Sequence, residues 1–156
     1  MKSADSPRLF CDVMLGKLAR RLRLLGVDVR YERGVKGIEA YRRAKAEGRM
    51  FLTRHHRFKS MPDVIYINSD KVNEQVEQVR EFLRMKPSEK REVEGGFLSR
   101  CSVCNEPLSK ISREQARPAI PFYIYQIHTQ FRRCPKCQRV YWPGSHIKRM
   151  IEQGGK

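Results

Sequence analysis

Two hydrophobic rhythms alternate along the first half of the chain. Arg8-Leu9-Phe10-Cys11 is a short apolar run. Leu15, Leu18, Ala19, Leu22 and Leu25 then recur at helical spacing, and Gly26 stands where a helix end favours a left-handed residue. Strand then helix is the reading. Val27 to Tyr31 can form a second strand, and Ile38, Tyr41 and Ala44 mark a second helix that ends near Gly48. Met50-Phe51-Leu52-Thr53 and Val64-Ile65-Tyr66-Ile67 read as further strands, and a last helix turns Val72, Val76, Val79 and Leu83 inward. Such alternation predicts an α/β fold, a parallel sheet flanked by helices, with ligands bound in the crevice at the carboxyl ends of the strands. Asp12, Arg54-His55 and Asp70 fall at those ends.

The rhythm then stops. Lys86 to Gly96 is polar and aperiodic and closes on a glycine pair, which reads as a linker. The expected organisation is an α/β domain over 1–86, a linker over 87–96, a small second domain over 97–150 and a tail over 151–156. A domain of about 60 residues or fewer usually needs a metal or disulfide to be stable.

Charge adds a partner to this picture. Thirty-three Lys and Arg against 17 Asp and Glu give a net charge of +16, an imbalance that points to a polyanion. Residues 1–60 carry 16 basic and 6 acidic side chains, residues 61–97 carry 6 and 8, and residues 98–156 carry 11 and 3. Two basic segments therefore flank a mildly acidic one. No apolar run approaches the roughly 20 residues that span a membrane, and the N-terminus lacks a signal-like apolar stretch. A soluble, cytoplasmic protein without membrane contact is expected. The Gly-rich phosphate motifs are absent as well, which argues against a nucleotide cofactor.

The small domain contains the strongest chemical signal. Cys101-Ser-Val-Cys104 and Cys134-Pro-Lys-Cys137 form two Cys-x-x-Cys pairs separated by 29 residues. In a reducing compartment such pairs are better explained by thiolate ligands than by disulfides. Four sulfurs satisfy the tetrahedral preference of zinc and leave no position open for water, so a structural Zn²⁺ is expected. A redox dithiol would not need a matched second pair, and an iron–sulfur cluster is the other competitor. His128 and His146 are spare donors. The fifth cysteine, Cys11, falls in a predicted strand and reads as a small buried residue. Around the pairs, Tyr123, Tyr125, Phe131, Tyr141 and Trp142 are interleaved with Arg132, Arg133, Lys136 and Arg139. This mixture reads either as a surface for stacking bases and pairing phosphates or as the core of a domain short of volume.

A second constellation is acidic. Asp12 follows the first strand, Glu39 opens the second helix and Asp70 follows the fourth strand. Converging above the sheet, three carboxylates would bind Mg²⁺ or Mn²⁺ and hold a scissile phosphate. Each of them alone is also explained by capping.

Several stretches together resemble the Mut-7 carboxyl-terminal RNase domain family. They are Cys11-Asp12-Val13-Met14-Leu15-Gly16-Lys17-Leu18-Ala19-Arg20, Leu22-Arg23-Leu24-Leu25-Gly26, Phe51-Leu52-Thr53-Arg54, Arg100-Cys101-x-x-Cys104-Asn105 and Val140-Tyr141-Trp142-Pro143-Gly144-Ser145-His146. The resemblance runs from about Arg8 to Met150. It implies a PIN-like nuclease fold with an appended zinc ribbon and a metal-dependent role on RNA, with Asp12 as the first-strand metal-site aspartate. One departure stands out: where the family reads Leu-Thr-Arg-Asp, this chain has Leu52-Thr53-Arg54-His55. Gly34-Val35-Lys36-Gly37 likewise lacks the acidic residues usual before the second helix. Imidazole suits Mn²⁺ or Zn²⁺ better than Mg²⁺, and His55 is also a candidate general base.

Two functions remain open at this level. One is a divalent-metal endoribonuclease on single-stranded RNA, using Asp12, Glu39, Asp70 and His55. The other is an RNA- or ribonucleoprotein-binding factor with a degenerate site, and a protein-binding module is the third reading. In either RNA reading Lys17, Arg20, Arg21 and Arg23 on the first helix, Arg54, and the basic residues of the ribbon grip the phosphate backbone. The RNA is single-stranded or structured, with ribosomal and transfer RNA as candidates.

Overall fold

A computed structural model describes residues 7–84 and 98–144. Four strands, β1 (Leu9–Cys11), β2 (Val29–Arg30), β3 (Met50–Thr53) and β4 (Val64–Tyr66), pair in parallel in the order β2-β1-β3-β4. Cys11 lies opposite Leu52, and Leu52 opposite Ile65. Three helices cover this sheet: α1 (Gly16–Leu24), α2 (Gly37–Ala46) and α3 (Val72–Leu83). The parallel α/β architecture read from the alternating rhythm is therefore present.

The helices end where the glycines require. Gly26, at φ 91°, donates to Arg23, and Val27 donates to Leu22, which closes α1 with a left-handed cap. Gly48, at φ 69°, does the same after α2, with Arg49 donating back to Ala44. Each cap turns the chain directly into the next strand.

Two apolar layers hold the sheet. On one face Phe10, Ala40, Tyr41, Ala44, Phe51 and Phe58 pack together, with the Phe51 and Phe58 rings edge-on at 5.5 Å. On the other face α1 and α3 bury Leu18, Leu22, Val76 and Val79 against Leu9, Leu52 and Ile65. Burial of each Leu or Val there stabilises by about 1.5–3 kcal/mol relative to exposure. Cys11, at 1% exposure, belongs to this layer, and burial pushes its thiol up to about 12, so it stays protonated.

The C-terminal part builds a separate antiparallel sheet from β5 (Ser109–Ile111), β6 (Phe131–Arg133) and β7 (Val140–Tyr141). Between β5 and β6 lie two short helices, α4 (Arg113–Ala116) and α5 (Phe122–Ile127). Ser112 opens α4 with a reciprocal capping box to Gln115. Ala116, Ile124 and Phe131 form this unit's own small core. Its cysteine end does not stand apart, because Leu98, Cys101, Cys134 and Tyr141 are buried in the same layer as α1 and α3. The segment 87–96 read as a linker lies outside the described residues. No described helix is long and apolar enough to cross a membrane.

Candidate metal centre and sheet-end site

The two Cys-x-x-Cys pairs form matched turns. Asn105 donates its backbone N–H to Cys101 O at 2.9 Å, and Gln138 donates to Cys134 O at 2.8 Å. Both residues following the pairs are left-handed, Asn105 at φ 65° and Gln138 at φ 67°. Backbone N–H groups point at the sulfurs: Cys104 to Cys101 Sγ at 3.3 Å, and Lys136 and Cys137 to Cys134 Sγ at 3.3 and 3.4 Å. Such donors stabilise thiolates.

All four Sγ atoms lie within 4.8 Å of one another. Cys101 Sγ and Cys137 Sγ are 3.7 Å apart, too far for a disulfide. A tetrahedron with metal–sulfur bonds of about 2.3 Å has edges of about 3.8 Å, so the donor set fits a metal ion such as zinc. Cys137 is exposed whereas Cys101 and Cys134 are buried. Against desolvation, the Arg139 amide and the neighbouring thiols hold Cys137 down at about 7, and desolvation with hydrogen bonding to Cys137 pushes Cys104 up to about 12. A metal has to displace protons to occupy this site. Tyr141 closes it from inside: its hydroxyl accepts from Ser102 N–H at 3.0 Å and lies 3.1 Å from Cys101 Sγ.

The metal turns dock onto the first helix. Arg23, 5% exposed, donates from Nε to Val29 O at 2.9 Å and from Nη1 to Ser102 O and Val103 O at 2.8 and 3.1 Å. Beside it Asn105 bridges the two parts, accepting from Val29 N–H at 3.1 Å and donating to Asp28 Oδ1 at 2.8 Å. Asp28 also pairs with Arg49 at 2.8 Å. Arg23 was expected on a basic surface; it is instead enclosed at the junction, its donors spent on backbone carbonyls.

At the other end of the sheet the strand order reverses between β1 and β3, and Asp12 sits at that switch point. Its carboxylate is 1% exposed. Oδ1 accepts from Val13 N–H at 2.8 Å and Gly37 N–H at 3.4 Å, and Oδ2 accepts from Thr53 Oγ1 at 2.7 Å. Thr53 Oγ1 in turn accepts from His55 N–H at 2.9 Å. Asp12 thus fastens the end of β1, the start of α2 and the end of β3.

The expected carboxylate cluster does not assemble around it. Glu39 is in the first turn of α2 but turns outward to Arg43 at 3.0 Å, and Asp70 is exposed ahead of α3. Among the described residues, the cysteine quartet is the only group of three or more His, Cys, Asp or Glu donors spaced to hold an ion. The physical reason is local: the helix start and the Thr53 hydroxyl claim Asp12, and the i+4 arginine claims Glu39. The His55 ring is exposed and packs edge-on to Phe58 at 5.8 Å.

The remaining basic candidates divide by exposure. Lys17 and Arg20 on α1 and Lys136 and Arg139 on the second turn are exposed. Arg21 donates to Asn73 at 2.8 Å, Arg54 to Ile67 O and Asn68 O, and Arg133 to Gln115 O, so these three are partly committed. Arg132 is buried. Of the aromatics, Phe131 and Tyr141 are core, Trp142 and Tyr125 are half-buried and Tyr123 is exposed. Sequence reasoning missed Thr53, Asp28, Asn105 and Tyr141 as partners of the two sites. Only Asn105, directly after a Cys-x-x-Cys pair where a left-handed residue belongs, carried a readable signal.

A parallel α/β sheet with polar groups at its switch point, joined through one core to a four-cysteine module that can hold a metal ion, defines a small α/β protein with an appended cysteine module. The chain matches the family described as the Mut7-C RNAse domain over residues 7–153, nearly its whole length, and belongs to that family. No curated protein matches the chain significantly.

Proposed function

We propose that this protein binds RNA through a PIN-like fold whose sheet-end site is degenerate, with zinc as the ion of the cysteine module. The observation that carries the reading is the engagement of Asp12: a buried carboxylate whose oxygens already accept from Val13, Gly37 and Thr53 has little left to offer a divalent ion. Family membership supports RNA as the partner, and the net charge of +16 supports a polyanion. With His55 in place of a carboxylate, the position after Arg54 adds no negative charge to that site.

The test is single-turnover incubation of labelled single-stranded RNA with the native chain in Mg²⁺ and then in Mn²⁺. Binding without cleavage is expected, and His55→Asp should strengthen divalent-ion binding at the sheet end. Robust Mg²⁺-dependent cleavage that disappears in Asp12→Asn would reverse the assignment. One observation favours a second reading, an active Mn²⁺-dependent endoribonuclease: His55 N–H reaches Asp12 through the Thr53 hydroxyl at the switch point. On that reading cleavage runs with Mn²⁺ and is lost in both His55→Ala and Asp12→Asn.

A further inference from the structure

Helix α5 turns Ile124 into the small C-terminal core and leaves its other apolar side chains outside. Phe122 is 60% exposed, Tyr123 63% and Ile127 67%. Three such side chains on one six-residue helix form a patch of the kind that marks a binding surface.

The patch is ordered. The Phe122 and Tyr125 rings lie 6.2 Å apart at an interplanar angle of 24°. The Arg113 guanidinium carbon sits 4.2 Å from the centre of the Tyr125 ring, and that of Arg117 sits 5.1 Å from it. Arg113 also donates to the Tyr125 carbonyl, which fixes it in place. Pro118 stiffens the turn before α5, and Pro121 forms its N-cap.

Charge selects the occupant. Between Leu98 and Gly144 eight Lys and Arg face only two Glu, so the surroundings of the patch favour an anion. Flat rings flanked by guanidinium groups suit a ligand that is aromatic and anionic at once. Unpaired bases on a phosphate chain have that chemistry.

We propose that the exposed rings of Phe122 and Tyr123, backed by Tyr125 with Arg113 and Arg117, form a stacking platform for unpaired bases of single-stranded RNA. The inference rests on the RNA-binding reading above and specifies where bases sit. Phosphates on either side then meet the arginines of the platform itself.

The experiment uses the full, zinc-loaded chain with two probes of equal length, an oligouridylate and an abasic ribose-phosphate oligomer. Phe122→Ala combined with Tyr123→Ala should weaken oligouridylate binding about tenfold or more and leave its salt dependence unchanged, because bases and not phosphates lose their contact. Binding of the abasic oligomer should not change. Phe122→Trp should retain affinity, whereas Phe122→Leu, apolar but without a ring, should lose it. Both side chains are mostly exposed, so metal content and circular dichroism should match the native chain. A native chain that binds neither probe overturns the RNA reading itself. Native-like oligouridylate affinity in the double variant overturns the platform alone. Full affinity in Phe122→Leu, or a native dimer that the double variant dissolves, gives the patch to a protein partner or a second copy and also overturns it.

Discussion

Arg23 Nη1 lies 2.8 Å from the carbonyl oxygen of Ser102, between the two cysteines of the first metal turn. The same guanidinium reaches Val29 O through Nε, so one buried cation spans the edge of the sheet and the metal module.

Arg23→Ala should therefore cost about 2 kcal/mol or more, since it leaves the buried Val29 carbonyl and two part-buried carbonyls without their donor. Urea unfolding followed by circular dichroism measures this as a lower midpoint. Arg23→Lys should recover only part, because a single ammonium cannot reach both Val29 O and the Ser102–Val103 carbonyls. A native-like midpoint in Arg23→Ala would show that the junction does not depend on it.

Acid should loosen the same junction. Partial desolvation pushes the Asp28 carboxyl up, but hydrogen bonds from Arg49 and Asn105 outweigh it and hold it below its ordinary range. With the folded value below the unfolded one of about 3.9, the ionised group stabilises the fold above about pH 4, and that contribution is lost as pH falls through the folded value. Thermal melting of the native chain should drop more steeply on acidification below about pH 4 than that of Asp28→Asn, which should already be weaker at neutral pH. Parallel curves would remove Asp28 from the account.

Tyr141 predicts a change in metal affinity without loss of a ligand. Burial, aided by the Cys101 sulfur, pushes its hydroxyl up to about 12, so it remains a neutral hydroxyl beside that sulfur. Tyr141→Phe removes this contact and leaves Ser102 N–H without its acceptor. Partners of this kind, one step behind the ligands, are typically worth 10- to 100-fold in affinity, by about that order. Chelator competition against the purified chain, which should hold about one zinc, gives the number.

For RNA, the exposed pair Lys17 and Arg20 is the place to look. Neutralising both should reduce the slope of log affinity against log salt by about 2, with base preference unchanged. Arg21 should contribute less, since it already donates to Asn73. An unchanged slope would direct attention to the cysteine module.

Much of the fold was legible from spacing alone. Leu18, Leu22 and Gly26 announce α1 and its cap, and the short apolar runs at Leu9 and Phe51 mark parallel strands, because burial on both faces leaves no alternation to confuse them; the outer strand at Ile65 is buried on one face only. The cysteine quartet was equally plain, since two matched pairs state their own geometry. The sheet-end carboxylates were not legible: topology brings Asp12 to the switch point, but only side-chain orientation reveals that Glu39 turns to Arg43. Arg23 misled for a related reason. A periodic basic residue on an amphipathic helix looks solvated, and its burial depends on a module some 80 residues further along.

β2 is an outer strand, and Val29 presents its backbone N–H and C=O away from β1. Asn105 takes the first and Arg23 the second. The cysteine turn, through Asn105, thereby covers one of the two groups and α1, through Arg23, the other, on the open border of the sheet, the kind of border that recruits strands from other molecules when left bare. Loss of an ion from the four cysteines would then do more than loosen a small appendage: it would free the Val29 N–H on that border, and metal-depleted chain should self-associate more readily.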